Sequence, residues 1–300
     1  MSRLAFEPVA WFPGLTGQTS RILTRQDQQG KDSDMLRRGF LKSSLIGAVL
    51  AVGTMGQDQA QAQALTVGAN IGNVPWEFQD ESGNFVGFEI DLVNEIGKRL
   101  GREVSVENIP FNGLFSAVQS GRIDMAVSSI TITPARLEEV SFAQPYYDSD
   151  QSLTVTAASG LGGLSDLSGK VIGVDTGSTG DMWATEHEAE YGFGEIRRFE
   201  GLAPAMLDLG NGGIDGYISD IPALQYYVKD KPDFVVAERI PTGERYSIMF
   251  AKDSPLAAQV NDIITDLKNE GFLAATHEKW FGAAPEDGTS TVQVMDMPTP

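Results

Sequence analysis

The chain has 300 residues, enough for one or two domains with a sizeable core, and its net charge is −19. Such an acidic chain is unsuited to nucleic acid or an anionic membrane surface, and we expect neither as a partner. Because it has no cysteine and only two histidines, which are far apart, disulfides and thiolate metal sites are excluded, and we expect no metal and no other cofactor.

The first 64 residues resemble an extension followed by an export signal. Residues 1–34 are polar without clear periodicity, and we expect disorder there. From Met35, a basic stretch, an apolar run too short to span a bilayer and alanines at A-x-A spacing follow in the order of a cleavable signal. The Arg37 to Lys42 core resembles the twin-arginine signal, although Leu36 stands where Ser or Thr is usual. We therefore predict a signal peptide over 35–64 and Met35 as the true start.

A first α/β unit is predicted after the signal. Short apolar runs, typical of buried strands, alternate with helical patterns, the first of which ends at Gly101. The predicted elements are strands over residues 65–69, 104–109 and 125–130 and helices over residues 89–100 and 111–120. This order is typical of a doubly wound fold with a largely parallel sheet.

The junction after the third predicted strand looks like a helix start with an unusual charge. Thr133 suits the N-cap and Pro134 the first helical position. A helix N-terminus favours anions, yet Arg136 adds a positive charge there. A free carboxylate would resolve this conflict by binding Arg136, the backbone N–H groups and the hydroxyls of Ser129 and Thr131. The alternative is a surface arginine paired with a glutamate of the same helix.

The strand–helix alternation recurs in the second half of the chain. Residues 141–147 are predicted as a loop and residues 151–156 as an extended segment that leads out of the first unit. The predicted elements are strands over residues 170–174, 196–199, 213–220 and 247–251 and helices from about residue 181 and over residues 202–210, 223–228, 255–269 and 272–280. Residues 283–300 have no apolar face and are predicted to form a loose tail.

Three groups fall at predicted strand ends, where ligands bind in such folds. They are Arg136, the Gly-rich turn over residues 176–180 and Asp220. A zwitterion has one carboxylate, which Arg136 and helix N–H groups fit, and one ammonium, which Asp220 fits. As alternatives, the Gly-rich turn is an ordinary tight turn, and Asp220 caps the helix that follows it.

Several motifs resemble the family 3 extracellular solute-binding proteins, which are the periplasmic receptors of polar amino-acid ABC transporters. The motifs lie at residues 87–100, 128–136, 142–147, 169–174, 213–220 and 279–282. The resemblance implies a type II periplasmic-binding-protein (Venus-flytrap) α/β fold whose chain crosses twice between two lobes. Lobe 1 would comprise 65–153 plus 249–282, and lobe 2 would comprise 154–248.

The resemblance also implies roles at the ligand's carboxylate end. Arg136 would clamp the α-carboxylate of an amino acid, helped by Thr131 and Ser129. The turn at Ser178 and Thr179 would close on it from lobe 2. The closed form would be recognised by a membrane permease in the Gram-negative periplasm, and we expect a monomer without a membrane anchor.

Asp220 would then take the α-ammonium, and Phe111 would stack against the ligand side chain. The first loop departs from the family, because amides stand at Asn73, where an aromatic residue is usual, and at Asn70, where an acid is frequent. Trp76, three residues further on, is the other aromatic candidate, although both Phe111 and Trp76 are residue types found more often in a core. The ligand side chain is therefore expected to be polar.

Asp175, if it faces the cleft, disfavours an acidic ligand, so we expect a neutral polar or cationic amino acid and no enzymatic activity. The main alternative is a periplasmic dehydratase similar to cyclohexadienyl dehydratase, which would need a cleft acid with a raised pKa, either Asp175 or Glu77. A sensory input domain is the second alternative. It is disfavoured because such domains are fused to transmembrane and signalling segments that this sequence lacks.

Overall fold

The computed structural model of this protein describes residues 63–300. The extension predicted over residues 1–34 and nearly all of the signal peptide predicted over 35–64 lie outside the described residues. No helix in the described part is long and apolar enough to cross a membrane.

Strands and helices alternate through most of the described chain. The strands are β1 (Leu65–Ala69), β2 (Phe78–Gln79), β3 (Phe85–Val86), β4 (Val104–Asn108), β5 (Met125–Ala126), β6 (Val140–Phe142), β7 (Tyr147–Thr156), β8 (Val171–Asp175), β9 (Glu195–Phe199), β10 (Gly216–Asp220), β11 (Phe234–Tyr246) and β12 (Met249–Ala251). The helices are α1 (Phe88–Leu100), α2 (Phe111–Gln119), α3 (Pro134–Glu139), α4 (Thr179–Glu186), α5 (Glu188–Tyr191), α6 (Leu202–Gly210), α7 (Ile221–Val228), α8 (Pro255–Asn269) and α9 (Phe272–Phe281), with a 3₁₀ turn at Leu164–Asp166. This confirms the alternation that the sequence predicts.

Two five-stranded sheets organise the fold. The first has the order β4-β1-β5-β12-β6, and the second has the order β11-β7-β10-β8-β9. In the first sheet β1 is parallel to β4 and β5, whereas β12 is antiparallel to its neighbours. In the second, β8 is parallel to β9 and β10, whereas β7 is antiparallel to β10 and β11. Each sheet is thus mixed, with a parallel core whose strand ends are available to a ligand.

The chain passes from one sheet to the other twice, between β6 and β7 and again between β11 and β12. The boundary predicted at residues 153/154 falls inside β7, all of whose residues belong to the second sheet. The loop predicted over residues 141–147 is partly wrong, because Ser141 and Phe142 pair with β12. The residues of the short strand β6 are buried or half-buried, and this strand forms one edge of the first sheet.

The strand β11 is absent from the sequence-based prediction. It runs antiparallel to β7 over 13 residues, but its register shifts between Val236 and Glu238 and again between Ile240 and Glu244. Each irregularity interrupts the two-residue alternation that identifies a strand in a sequence. The third predicted strand is shorter than expected, since only Met125 and Ala126 pair, while the buried residues after them are irregular.

The C-terminal segment packs back onto the molecule, although it contains no helix or strand. Ser290 is buried and its backbone N–H donates to Asp148 at 2.7 Å. The backbone N–H of Met295 donates to Gln144 at 3.0 Å, and the Lys268 ammonium donates to the carbonyl of Gln293 at 2.9 Å. The loose tail predicted over 283–300 is therefore not what the structure shows.

Candidate functional site

A cavity of about 70 Å³ lies where the strand ends and helix starts of the two sheets face each other. Every predicted binding residue except Trp76 lines it, namely Asn70, Asn73, Phe111, Ser129, Thr131, Arg136, Asp175, Ser178, Thr179 and Asp220. Trp76 is fully buried in the core, where its ring packs against Phe88, Tyr147 and Tyr246. Its prediction as a binding residue is therefore wrong, because the indole packs in the core and does not line the cavity.

Arg136 is buried at the start of α3, with only 6% of its surface exposed. Thr133 caps this helix, since its side chain accepts the Arg136 backbone N–H at 3.2 Å, as predicted. The guanidinium donates to the carbonyl of Thr131 at 2.8 Å and to that of Gly177, on the opposite sheet's side, at 3.1 Å. Burial lowers the pKa of Arg136 to about 10. The alternative of a surface arginine is thus wrong.

Arg136 has no ion pair within residues 63–300. Its guanidinium carbon lies 5.5 Å from the ring centre of Phe111 and 5.1 Å from that of Phe115. An aromatic face stabilises a cation but does not neutralise it. Two of the five N–H donors of an arginine are spent here on carbonyls, so the guanidinium can still bind an anion at the cavity.

Asp220 lies across the cavity, at the end of β10. Its carboxylate accepts from the Ser129 hydroxyl at 3.0 Å and from the Gln151 amide at 2.6 Å. Its side chain makes no capping bond to α7, so the capping interpretation is wrong. Burial, followed by the nearby Glu244 carboxylate, raises the pKa of Asp220 to about 7. A cation that bound there would restore the ionised form.

The Gly-rich turn brings α4 to the cavity. Ser178 caps this helix, with its hydroxyl accepting the Asp181 backbone N–H at 3.1 Å. Gly177 has a φ of 74°, a left-handed conformation that favours glycine, and its carbonyl faces Arg136. Thr179 donates to Glu244 at 2.9 Å. The turn is therefore part of the contact between the two halves of the site.

Glu244 and Gln151 are functional candidates that the sequence analysis missed. Glu244 is buried and accepts from Thr131 at 2.5 Å, from Thr179 at 2.9 Å and from Gln151 at 3.0 Å. Thr131, which was expected beside the ligand carboxylate, therefore also donates to an acid from the other sheet. No sequence signal identifies Glu244, because its strand β11 is itself hidden by irregular register.

Asp175 ends β8 and faces the same cavity. The Tyr217 hydroxyl donates to its Oδ2 at 2.7 Å, while its Oδ1 is buried without a hydrogen-bond partner. Burial raises the pKa of Asp175 to about 6, and the neighbouring Glu200 carboxylate adds to this shift. Glu200, also missed by the sequence analysis, is exposed at the rim. Since Glu200 directly follows β9, a search of strand ends would have found it.

The first loop contributes polar groups to the cavity wall opposite Asp175. The Asn73 amide donates to the Ser129 hydroxyl at 3.1 Å and to Glu77 at 3.3 Å. Glu77, one of the two acids considered for a dehydratase, is fully buried and does not line the cavity.

The residues that line the cavity make its charge unbalanced. Among the lining residues that the structure describes, Arg136 is the one cation, whereas Asp175, Glu200 and Asp220 are acids. A molecule that carries one carboxylate and more than one cationic group complements this arrangement. Arg136 and Asp220 thus place a cation and an acid in one cavity.

Comparisons with known proteins identify relatives of the same size. A family model described as bacterial extracellular solute-binding proteins, family 3, matches residues 65–283. The arginine-binding extracellular protein ArtP of Bacillus subtilis is 30% identical over 220 residues, which are 72% of this chain and 86% of that protein. A probable histidine-binding protein of Neisseria gonorrhoeae is 30% identical over 78% of this chain and 91% of its own length.

Solved structures give the same picture of the fold. Holo ArgBP from T. maritima is 32% identical with a TM-score of 0.66, covering 74% of this chain and 97% of that one. The arginine-, lysine-, histidine-binding protein ArtJ from Geobacillus stearothermophilus is 34% identical with a TM-score of 0.68, covering 74% and 97%. The fold here is thus that of two-lobe type II periplasmic binding proteins, as the sequence predicts.

Proposed function

The chain belongs to the bacterial extracellular solute-binding proteins of family 3, and from this membership we propose that it captures a cationic amino acid in the cavity and delivers it to an ABC transporter. The observation that carries the proposal is the pair of unmatched charges on opposite walls. Arg136 is a buried cation without an ion pair in residues 63–300, and Asp220 faces it across the cavity. Buried charges of this kind are costly unless a ligand completes them.

In this proposal the ligand α-carboxylate binds the free N–H donors of Arg136. The α-ammonium binds Asp220, where Ser129 and Gln151 already hold the two carboxylate oxygens. A zwitterion alone would balance one cation and one anion. Asp175 then remains as a surplus acid, and it favours a ligand whose side chain carries a second positive charge.

The names of the relatives support a cationic side chain. ArtP is an arginine-binding protein, and ArtJ binds arginine, lysine and histidine. A cystine-binding protein of Escherichia coli is also 30% identical over 73% of this chain, so the family fold accommodates other polar amino acids. The surplus acid in this cavity is the reason to prefer the cationic class.

Closure of the two lobes is the proposed mechanism. By sheet membership we assign residues 65–142 with 249–282 to lobe 1 and residues 147–246 to lobe 2. Contacts between the lobes surround the cavity, such as Ser129 with Asp220 and Arg136 with the carbonyl of Gly177. A ligand held by both lobes stabilises the closed state by its greater affinity for it, and the permease would recognise that state.

We also propose that the protein reaches the Gram-negative periplasm through the twin-arginine signal over 35–64 and acts there as a monomer without a membrane anchor. A relative from Mannheimia haemolytica that is named as an arginine-binding periplasmic protein, 27% identical over 74% of this chain, supports the periplasmic location. Edman sequencing of the exported protein would test the signal and its cleavage.

We infer that the protein binds without catalysis, because its relatives are named as binding proteins. The dehydratase alternative depends on Asp175, whose pKa is raised to about 6. Its carboxylate is held by Tyr217, which is the arrangement of a fixed charge rather than of a mobile proton donor. Turnover of prephenate or arogenate by the purified protein would establish the enzyme instead.

A thermal-shift screen against all the common amino acids tests the proposal. L-arginine at 100 times its Kd is expected to add about 2.7 kcal/mol to the free energy of unfolding. L-citrulline, which has the same shape without the side-chain charge, is the matched control and should give a smaller shift. If only acidic or apolar amino acids shift the transition, the cationic assignment is wrong.

A further inference from the structure

Two glutamates lie behind the cavity wall, fully buried and next to each other. Glu77 precedes β2, and Glu89 lies in the first turn of α1. Both side chains are 0% exposed. Within residues 63–300, no lysine, arginine or histidine contacts either carboxyl group. Two ionised carboxylates in such a place would repel each other in a medium of low dielectric constant.

One oxygen of each carboxyl group is satisfied by the cavity wall. Glu77 Oε1 accepts from the Ser128 hydroxyl at 2.7 Å and from the Asn73 amide at 3.3 Å. Glu89 Oε1 accepts from the Ser129 backbone N–H at 2.8 Å and from the Tyr146 hydroxyl. The pair therefore fixes both serines of this wall from behind.

The second oxygens have no such donors. Glu77 Oε2 and Glu89 Oε2 are both buried and have no hydrogen-bond partner among residues 63–300. Because the adjacent residues Ser128 and Ser129 hold Glu77 and Glu89, the two carboxyl groups lie side by side, and each affects the pKa of the other. Ionised carboxylates only accept hydrogen bonds, so a bond between them requires a proton on one of the two.

We propose that Glu77 and Glu89 share a single proton in the folded protein and that this pair positions the Ser128–Ser129 wall of the binding cavity. One O–H bond directed at the other carboxylate satisfies both buried Oε2 atoms and leaves one negative charge on the pair. Such charge-assisted bonds are among the strongest between side chains. The inference extends the proposed binding function, on which its functional part rests.

Burial and the nearby Glu89 charge raise the pKa of Glu77 well above its usual range, which places the proton there. Burial also raises the pKa of Glu89, but the bonds from Glu77, Tyr146 and the Ser129 N–H favour its ionised form. Tyr146 is the other titratable group that faces the pair. Burial raises the pKa of its phenol, so it remains a donor.

The pair acts on the ligand site through Ser129. This residue has a φ of 44°, an unfavourable conformation for a residue with a side chain, and its N–H is held by Glu89. Its hydroxyl in turn donates to Asp220 at 3.0 Å, where the ligand ammonium is proposed to bind. Loss of the shared proton would release Ser129 from its position and misplace the Asp220 carboxylate to which its hydroxyl donates.

Proton uptake on folding is the direct test. The unfolded chain ionises both glutamates above about pH 5, whereas the folded wild type keeps one proton. Folding of Glu77→Gln or Glu89→Gln requires no such uptake, because each variant supplies an amide N–H in place of the O–H. Relative to either variant, the wild-type unfolding equilibrium constant should therefore rise about tenfold per pH unit above pH 5, until the pair ionises.

Urea denaturation at several pH values between 5 and 8 measures this ratio. Other titrating groups, such as Asp175 and Asp220, are common to both proteins and cancel. Glu81→Gln, which changes an exposed acid of the neighbouring turn, is the control, and its ratio should not vary with pH. If the ratio of wild-type to Glu77→Gln unfolding constants is also independent of pH, the two glutamates do not share a proton.

The double variant Glu77→Gln, Glu89→Gln separates positioning from charge. Its two amide NH₂ groups face each other without an acceptor, so it should bind L-arginine at least about tenfold more weakly than either single variant. Either single variant, which keeps one carboxylate as an acceptor, should thus restore the L-arginine affinity that the double variant loses. Equal affinity of the single and double variants contradicts the positioning role. If the wild type itself does not bind L-arginine, the proposed ligand fails while the proton test still stands.

Infrared spectroscopy of the wild type tests for the shared proton even if a variant fails to fold. At pH 8, where Asp175 and Asp220 are expected to be ionised, the folded wild type should retain a carboxylic-acid C=O band that shifts in D₂O. Absence of that band in the wild type would overturn the proposal.

Discussion

Two groups of buried charges lie side by side in this molecule, and they are stabilised differently. Arg136 and Asp220 line the cavity, Glu244 accepts from the lining residue Thr131, and the donors and acceptors of this group come from both sheets. Glu77 and Glu89 lie behind it, and their contacts come from one sheet's side. In the proposals made above, a bound ligand balances the charges of the first group, whereas a shared proton satisfies the carboxyl groups of the second.

The difference teaches that burial alone does not identify a binding residue. All these groups are buried or half-buried, but the proposed ligand contacts only those on the cavity wall.

Arg136→Ala should weaken L-arginine binding at least about thirtyfold, because a buried charge pair that loses one partner costs about 2–5 kcal/mol. The ligand-free protein should stay folded, since the change removes a buried charge with no ion pair. Isothermal titration calorimetry and thermal denaturation measure both effects. Arg136→Lys is the matched control, which keeps the charge but loses the fork and should restore affinity only in part. Unchanged binding in both variants would remove Arg136 from the site.

The affinity of the wild type should fall about tenfold per pH unit below about pH 7. The pKa of Asp220 is raised to about 7 without ligand, and a bound ammonium favours the ionised carboxylate, so binding releases a proton. Affinity therefore rises with pH and levels off above 7. Calorimetry in buffers of different ionisation enthalpy counts the released protons.

Asp220→Asn should bind more weakly at pH 8 and lose the pH dependence between about pH 6 and 7, whereas Asp175, whose pKa is raised to about 6, still titrates below that range. A variant that keeps the wild-type pH profile would show that another group titrates.

Asp175→Asn should reduce the preference for L-arginine over L-citrulline by about tenfold, which corresponds to one hydrogen bond to a charged group. The affinity for L-citrulline should change little, because that ligand has no side-chain charge. Competition experiments with both ligands give the ratio directly. A proportional loss for both ligands would mean that Asp175 supports the fold through Tyr217 rather than reading the ligand side chain.

Ser178→Ala should lower the free energy of unfolding by about 1 kcal/mol through loss of the α4 cap. Ser178→Gly should cost only a few tenths of a kcal/mol, since glycine is tolerated at an N-cap. Urea denaturation compares the two variants. If L-arginine affinity instead falls as much as in Asp220→Asn, then Ser178 binds the ligand directly and capping is its lesser role.

The sequence was sufficient for most of the helices and for several of the residues at strand ends. The bounds predicted for α6 and α8 agree with the structure, because long periodic segments and their caps are encoded locally. Arg136 and Asp220 were likewise found from strand–helix junctions and from a family resemblance. Trp76 was misplaced, since an aromatic residue in a loop gives no local sign of whether it faces a cavity or a core.

The amino-acid sequence by itself determined the two α/β units and most of the groups that the cavity presents, because hydrophobic periodicity and helix caps depend on near neighbours in the chain. Only the tertiary structure decided which distant groups meet. It brought Glu244 to Thr131 and Glu77 to Glu89, and it packed the C-terminal segment against Asp148. These contacts depend on burial and on the register of β7 with β11, which no local pattern encodes.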